Sequence, residues 1–192
     1  ANNLNFYGNG DHGNQFPLFG GDNNLLEITN SKFINPTGPE TKIFDLKNTD
    51  SILVTHTDFI YSESLDQTVI FDVASTGPIM ISNCVFSLAG EILITSEARG
   101  NIYFTSNIIY SDLNVENIVL EDNLNAYIID NYFMMPVPTE SRTLEKNPIQ
   151  IPDSQGSTVF NNNIVLSLIG VNGIIEITSE TAPYKLDMKN NI

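Results

Sequence analysis

The chain of 192 residues is long enough for one domain with a sizeable core, or for one stretch of a longer repeat protein. Eight Lys and Arg against 23 Asp and Glu leave a net charge of −15, which excludes a nucleic-acid partner held by clustered cations and disfavours acidic polysaccharides unless metal ions bridge them. No apolar run reaches the roughly 18 residues of a membrane span, and the single cysteine, Cys84, excludes a disulfide framework.

In chain order, residues 1–6 read as the second half of a coil, and the Gly/Asn-rich stretch Tyr7–Asn14 holds Asp11 and His12, residue types that ligate metals. From Leu26 onward one phrase recurs: an apolar alternation, a small polar residue, then a second apolar alternation that usually carries Phe. Its copies are Leu26–Phe33, Leu53–Phe59, Met80–Phe86, Tyr103–Ile109, Tyr127–Met134, Val159–Val165 and Leu186–Ile192. The polar pivots fall at Asn30, His56, Asn83, Ser106, Asn131, Asn162 and Asn190, the fourth and fifth fixed to within one residue. They recur on average every 27 residues or about that. Between pivots lies a second apolar run, as in Ile43–Leu46, Val69–Val73, Ile92–Ile94, Ile118–Leu120, Ile149–Ile151 and Ile174–Ile177. The longest loop, Met134–Pro148, carries Glu140, Arg142, Glu145 and Lys146 and is the candidate binding loop. Neither end carries a recognisable cap, so the expectation is a column that continues or stacks end to end with another copy.

Apolar residues alternating at period two exclude helix, and an in-phase repeat separates a solenoid from a sandwich, whose strands turn by tight hairpins. Each repeat therefore predicts three short strands. The chain reads as a single all-β domain over 1–192, a right-handed parallel β-helix of about seven coils. A sharp bend between strands needs a residue that tolerates the left-handed region, which Asn does better than any residue but Gly. Pivot side chains one coil apart are then placed to bond as a ladder. Inside, Phe33, Phe59 and Phe86 form one expected stack and Ile28, Val54 and Ile81 another, with Cys84 a small buried hydrophobe.

The phrase Ile81–Phe86 and its six relatives resemble the coils of the pectin-lyase-like superfamily of right-handed parallel β-helices, over nearly the whole chain. That superfamily includes polysaccharide lyases, glycoside hydrolases, tailspikes, adhesins and inert stalks, so the resemblance implies a fold and a secreted or cell-surface setting, and leaves the activity open. A lyase would need calcium carboxylates with a basic residue on the same face. Here Arg99, Arg142 and Lys47 form no such cluster, and Asn-Thr-Asp at 48–50 lacks the further residues of a polygalacturonase signature.

The most suggestive constellation lies on the second run, where Phe44 and Phe71 should point inward and Asp45 and Asp72 outward, one coil apart. Glu121 and Glu176 occupy corresponding places further along. Carboxylates about 5 Å apart suit a retaining glycosidase, and two coils an inverting one, which makes Asp45 and Asp72 the catalytic candidates. Shared hard oxygen ligands also suit Ca²⁺, with Asp45, Asp72 and Glu121 as ligands. His56 stands at a pivot and reads as a ladder substitute. The threonines show no regular array of the ice-binding kind. Two functions remain: a non-catalytic scaffold or adhesin with a glycan-binding surface and bound Ca²⁺, which is preferred, and a polysaccharide hydrolase, with a lyase behind it. A polysaccharide or a cell-surface protein is the expected partner.

Overall fold

The computed structural model describes residues 2–7, 19–22, 25–34, 42–61, 69–87, 91–94, 100–110, 118–120, 125–135, 149–152, 156–167, 175–178 and 185–192. Among these residues every regular element is a β-strand. Ile, Val, Phe and Tyr alternate with small polar residues, so each segment has one apolar side to bury. In chain order the strands are β1 (Asn5–Tyr7), β2 (Phe19–Asp22), β3 (Leu25–Thr29), β4 (Lys32–Ile34), β5 (Lys42–Thr49), β6 (Ser51–Thr55) and β7 (Asp58–Ile60). Next come β8 (Val69–Ser75), β9 (Ile79–Ser82), β10 (Val85–Ser87), β11 (Glu91–Ile94), β12 (Ile102–Thr105), β13 (Ile108–Tyr110) and β14 (Ile118–Leu120). The last are β15 (Asn125–Ile129), β16 (Tyr132–Met135), β17 (Ile149–Pro152), β18 (Ser157–Asn161), β19 (Ile164–Ser167), β20 (Ile175–Thr178) and β21 (Lys185–Lys189).

Strands three apart in sequence pair in parallel, giving three seven-stranded sheets. Sheet 1 runs β1-β4-β7-β10-β13-β16-β19, sheet 2 β2-β5-β8-β11-β14-β17-β20, and sheet 3 β3-β6-β9-β12-β15-β18-β21. A chain that visits three sheets in rotation, always in the same direction, is a parallel β-solenoid. Its six complete coils span β2 to β19; β1 before them and β20–β21 after them are part-coils, which refines the expected seven.

The core is a set of columns along the axis. In sheet 1 the rings of Phe33, Phe59 and Phe86 lie nearly parallel with centroids 5.2 Å apart. In sheet 2 Phe44 stacks on Phe71 at 4.9 Å, and both meet Phe59 edge-on at 6.3 and 5.5 Å. Sheet 3 supplies Ile28, Val54, Ile81, Phe104, Ile128 and Phe160 in one register, all buried. Burying each ring stabilises the fold by about 2–3 kcal/mol, so one buried Phe outweighs one net hydrogen bond of about 1 kcal/mol.

Between sheet 3 and sheet 1 the chain turns through a single left-handed residue: Asn3, Asn30, His56, Asn83, Ser106, Asp130, Asn162 and Asn190, with φ from 48° to 58°. Two of these differ from the sequence reading. Asn3 adds a bend before the first copy, and in the fifth copy the bend is Asp130, not Asn131. Asn131 is the next residue, which points inward and is 2% exposed.

That inward position, directly after each bend, carries the continuous ladder. Asn131 Oδ1 accepts from Asn107 N (2.9 Å) and Asn107 Nδ2 (3.1 Å), while Asn131 Nδ2 donates to Phe104 O (2.8 Å). Asn163 and Asn191 repeat the pattern one and two coils on. Asn107 begins it by accepting from Cys84 N at 3.0 Å. In earlier coils Ser31, Thr57 and Cys84 hold the place, each donating to the carbonyl two residues before itself. At the bends themselves the described side-chain bonds join only Asn30 to Asn2 and Asn190 to Asn162, each at 3.2 Å. The expected ladder is thus displaced by one residue, because a bend side chain faces outward whereas its successor can reach the coils on either side from within.

Candidate binding faces

Three sheets give three outer faces, and the sequence sets a different chemistry on each. On sheet 2, Asp45 and Asp72 are in register with Phe44 and Phe71 stacked inward beside them. The same register runs through position 93 to the outward Val119, Gln150 and Glu176. The two carboxylates are thus one coil apart, about 4.8 Å between backbones, and Glu176 lies four coils further along a row interrupted by apolar residues. This face is covered in part: outward-pointing Asp72 is 7% and Val119 5% exposed, whereas Asp45 and Gln150 are half-buried and Glu176 is exposed. Asp45, Asp72 and Glu176 each have an interaction partner. Asp72 therefore does not lie open at the surface beside the half-buried Asp45.

Sheet 3 is different. From β6 to β18 no outward residue carries a charge, in a chain of net charge −15. Its central row is Leu53, Met80, Tyr103, Tyr127 and Val159. The Tyr103 and Tyr127 rings stack at 5.0 Å and 9°, so they stand on edge and present hydroxyls and ring edges outward. Beside them runs a hydrogen-bonded chain. Ser157 Oγ donates to Asn125 Oδ1 (2.9 Å), Asn125 Nδ2 to Asn101 Oδ1 (3.3 Å), and Asn101 Nδ2 to Tyr103 Oη (3.1 Å). On the other flank Thr29, Thr55, Ser82 and Thr105 share one register. This corrects the expectation that the threonines fall out of line, although Ile129 ends their row. Charges return only at the ends, with Glu27 on β3 and Lys185, Asp187 and Lys189 on β21.

Sheet 1 faces outward with Val85, Ile108, Tyr110, Tyr132, Ile164 and Leu166 over its C-terminal half. Ile108 is 47% and Leu166 44% exposed. Its charged residues are Lys32 and Asp58, one coil apart with Nζ and Oδ2 at 3.9 Å.

His56 is an exposed bend residue with φ 50°. Glu121, Glu140, Arg142, Glu145 and Lys146 lie outside the described residues, as do Asp11, His12 and Arg99. Among the described residues no three His, Cys, Asp or Glu come together as metal ligands, and no helix is long and apolar enough to cross a membrane. Burial pushes the Cys84 thiol up to about 12, far from the range of a reactive cysteine.

The fold class is therefore that of a parallel β-solenoid. Comparison with protein-family models, with curated proteins and with solved structures finds no match.

Proposed function

We propose that this solenoid is a non-catalytic binding scaffold of the pectin-lyase-like type, secreted or displayed at a cell surface, and that the outer face of sheet 3 takes up a neutral polysaccharide. The observation that carries this reading is the uncharged face from β6 to β18 on a chain of net charge −15. An acidic polymer is repelled by the molecule as a whole, whereas a neutral hydroxyl-rich one meets in-register hydroxyls, amides and phenols on that face. The ligand chain lies along the axis, where the same polar groups recur every 4.8 Å or about that. Contact is through Tyr hydroxyls and ring edges, since the stacked faces of Tyr103 and Tyr127 are occupied by one another.

The test is retention on immobilised neutral β-glucan, mannan and xylan, with polygalacturonate as the acidic control and reducing ends assayed in the eluate. One or more neutral polymers retain the protein, Tyr103→Ala and Asn125→Ala each weaken retention by about tenfold, or about 1.4 kcal/mol, and Asp45→Asn changes nothing. Binding survives a chelator, because no carboxylate lies on this face between Glu27 and Asp187. Release of reducing ends that is lost in Asp45→Asn or Asp72→Asn would establish the hydrolase instead.

A further inference from the structure

The outer face of sheet 3 is ordered across its strands as well as along the axis. Its register is unbroken from β6 to β18, whereas that of sheet 2 shifts on both sides of β8, so the outward residues of sheet 3 stand in straight columns. The central column is apolar, made of Leu53, Met80, Val159 and the ring edges of Tyr103 and Tyr127. Polar columns flank it on both sides. One holds Ser51, Asn101, Asn125 and Ser157, and the other Thr55, Ser82, Thr105 and Asn161. Asn101 Nδ2 draws the Tyr103 hydroxyl to the first flank at 3.1 Å, which leaves the ring edge at the centre. We infer, resting on the reading of this face as a neutral-glycan site, that its ligand is an extended ribbon glycan of the kind that cellulose, mannan and xylan backbones form. It is seated one sugar per coil over the five strands β6, β9, β12, β15 and β18.

The shape and chemistry of the polymer select this class. Where pyranose rings are joined through equatorial bonds at opposite ends of each ring, most hydroxyls project from the two edges of the chain and C–H bonds cover its two faces. Such a ribbon lies with one C–H face on the apolar column and its edges over the hydroxyls and amides on either side. It also advances by nearly one ring length per sugar, close to the coil height of about 4.8 Å. Each sugar therefore meets one coil, and each of these coils supplies at least one hydroxyl or amide. Glucans with other linkages coil, and their path leaves the columns within a short distance. The apolar column also has ends, because register places Glu27 before Leu53 and Asp187 after Val159. A carboxylate beneath a C–H face loses hydration that the sugar cannot replace, which limits the seat to the coils between them.

Isothermal titration calorimetry with cello-, manno- and xylo-oligosaccharides, from disaccharide to hexasaccharide, reads the fit. In at least one series affinity rises about threefold per added sugar up to the pentasaccharide, a step within the range of one net hydrogen bond, and is level from there to the hexasaccharide. Laminari- and malto-oligosaccharides of the same lengths, which coil, show no rise beyond the disaccharide. Val159→Asp, with far-UV circular dichroism unchanged, moves the plateau to the tetrasaccharide, because it brings the carboxylate boundary one coil inward. The length series on the wild-type protein depends on no variant folding. If a neutral polymer retains the protein but affinity stops rising at the disaccharide in every ribbon series, or the coiling oligosaccharides bind as tightly, the ribbon assignment fails and the neutral-glycan reading stands. Retention on no neutral polymer removes both.

Discussion

Asp130 and Asn131 are adjacent and chemically close, yet they contribute through different parts of the molecule. Asp130 contributes its backbone, held at φ 58° with the side chain in solvent. Asn131 contributes its carboxamide, which satisfies buried groups of the preceding coil at 2.8 to 3.1 Å. Asn131→Ala should therefore cost roughly 2–4 kcal/mol in urea denaturation, because Asn107 N and Phe104 O lose their partners in the dry interior. Asp130→Ala should cost about 1 kcal/mol, because alanine lacks the short polar side chain that lets Asp tolerate the left-handed region. Equal costs would mean that the ladder is not what holds the coils. Sequence alone showed a polar doublet and placed the bend on its Asn, since Asn favours that conformation; it could not show that burial had claimed the Asn and left the bend to Asp. Cys84 was legible as a buried hydrophobe. With its thiol raised from 9.0 to about 12, the unfolded chain holds fewer protons than the folded one between those values, so stability falls as pH rises through that window and is unaffected below it. Comparing wild type with Cys84→Ala isolates this slope, which should vanish in the variant, and native Cys84 should resist alkylation at pH 8.

At the scale of elements, the strands were visible because alternation and phase repeat together, and each strand's buried face follows from the register. The chemistry of the outer faces was harder to see. Bonded ladder partners stand 23, 24, 32 and 28 residues apart in successive coils. With such uneven loops, Tyr103 and Tyr127 become neighbours only once the coils are stacked. Alternation also marked Asp72 as solvent-facing, and nothing in a local pattern reveals that an outward position is covered. The turns into sheet 3 carry their own constraint. A Cβ on Gly100 would stand 1.9 Å from Gly77 O, and one on Gly77 1.9 Å from Asp50 O, with backbone and not a flexible side chain in the way. Gly100→Ala should lower stability by about 1–3 kcal/mol, read as a shift in denaturation midpoint without a change in slope, because the coils must part locally to admit the methyl group.

At the scale of the molecule, three sheets of one construction have three environments. Among the described residues, the middle of sheet 2 is covered at Asp72 and Val119, sheet 3 is uncharged and polar from β6 to β18, and the C-terminal half of sheet 1 is largely apolar, with the Lys32–Asp58 ion pair at its other end. The core columns fix the scaffold with inward residues alone, which leaves the outward residues free to differ from face to face. The same separation explains why fold was readable here and function was not: the inward repeat is periodic, and the binding chemistry is whatever the period leaves unspecified.

The ladder also has a direction. From Asn107 onward, each carboxamide reaches back to the coil made before it and receives that coil's amide hydrogen. A coil in this half therefore has its inward amide paired only by the coil that follows it, so a chain cut after any of these coils would leave one buried N–H without its carboxamide.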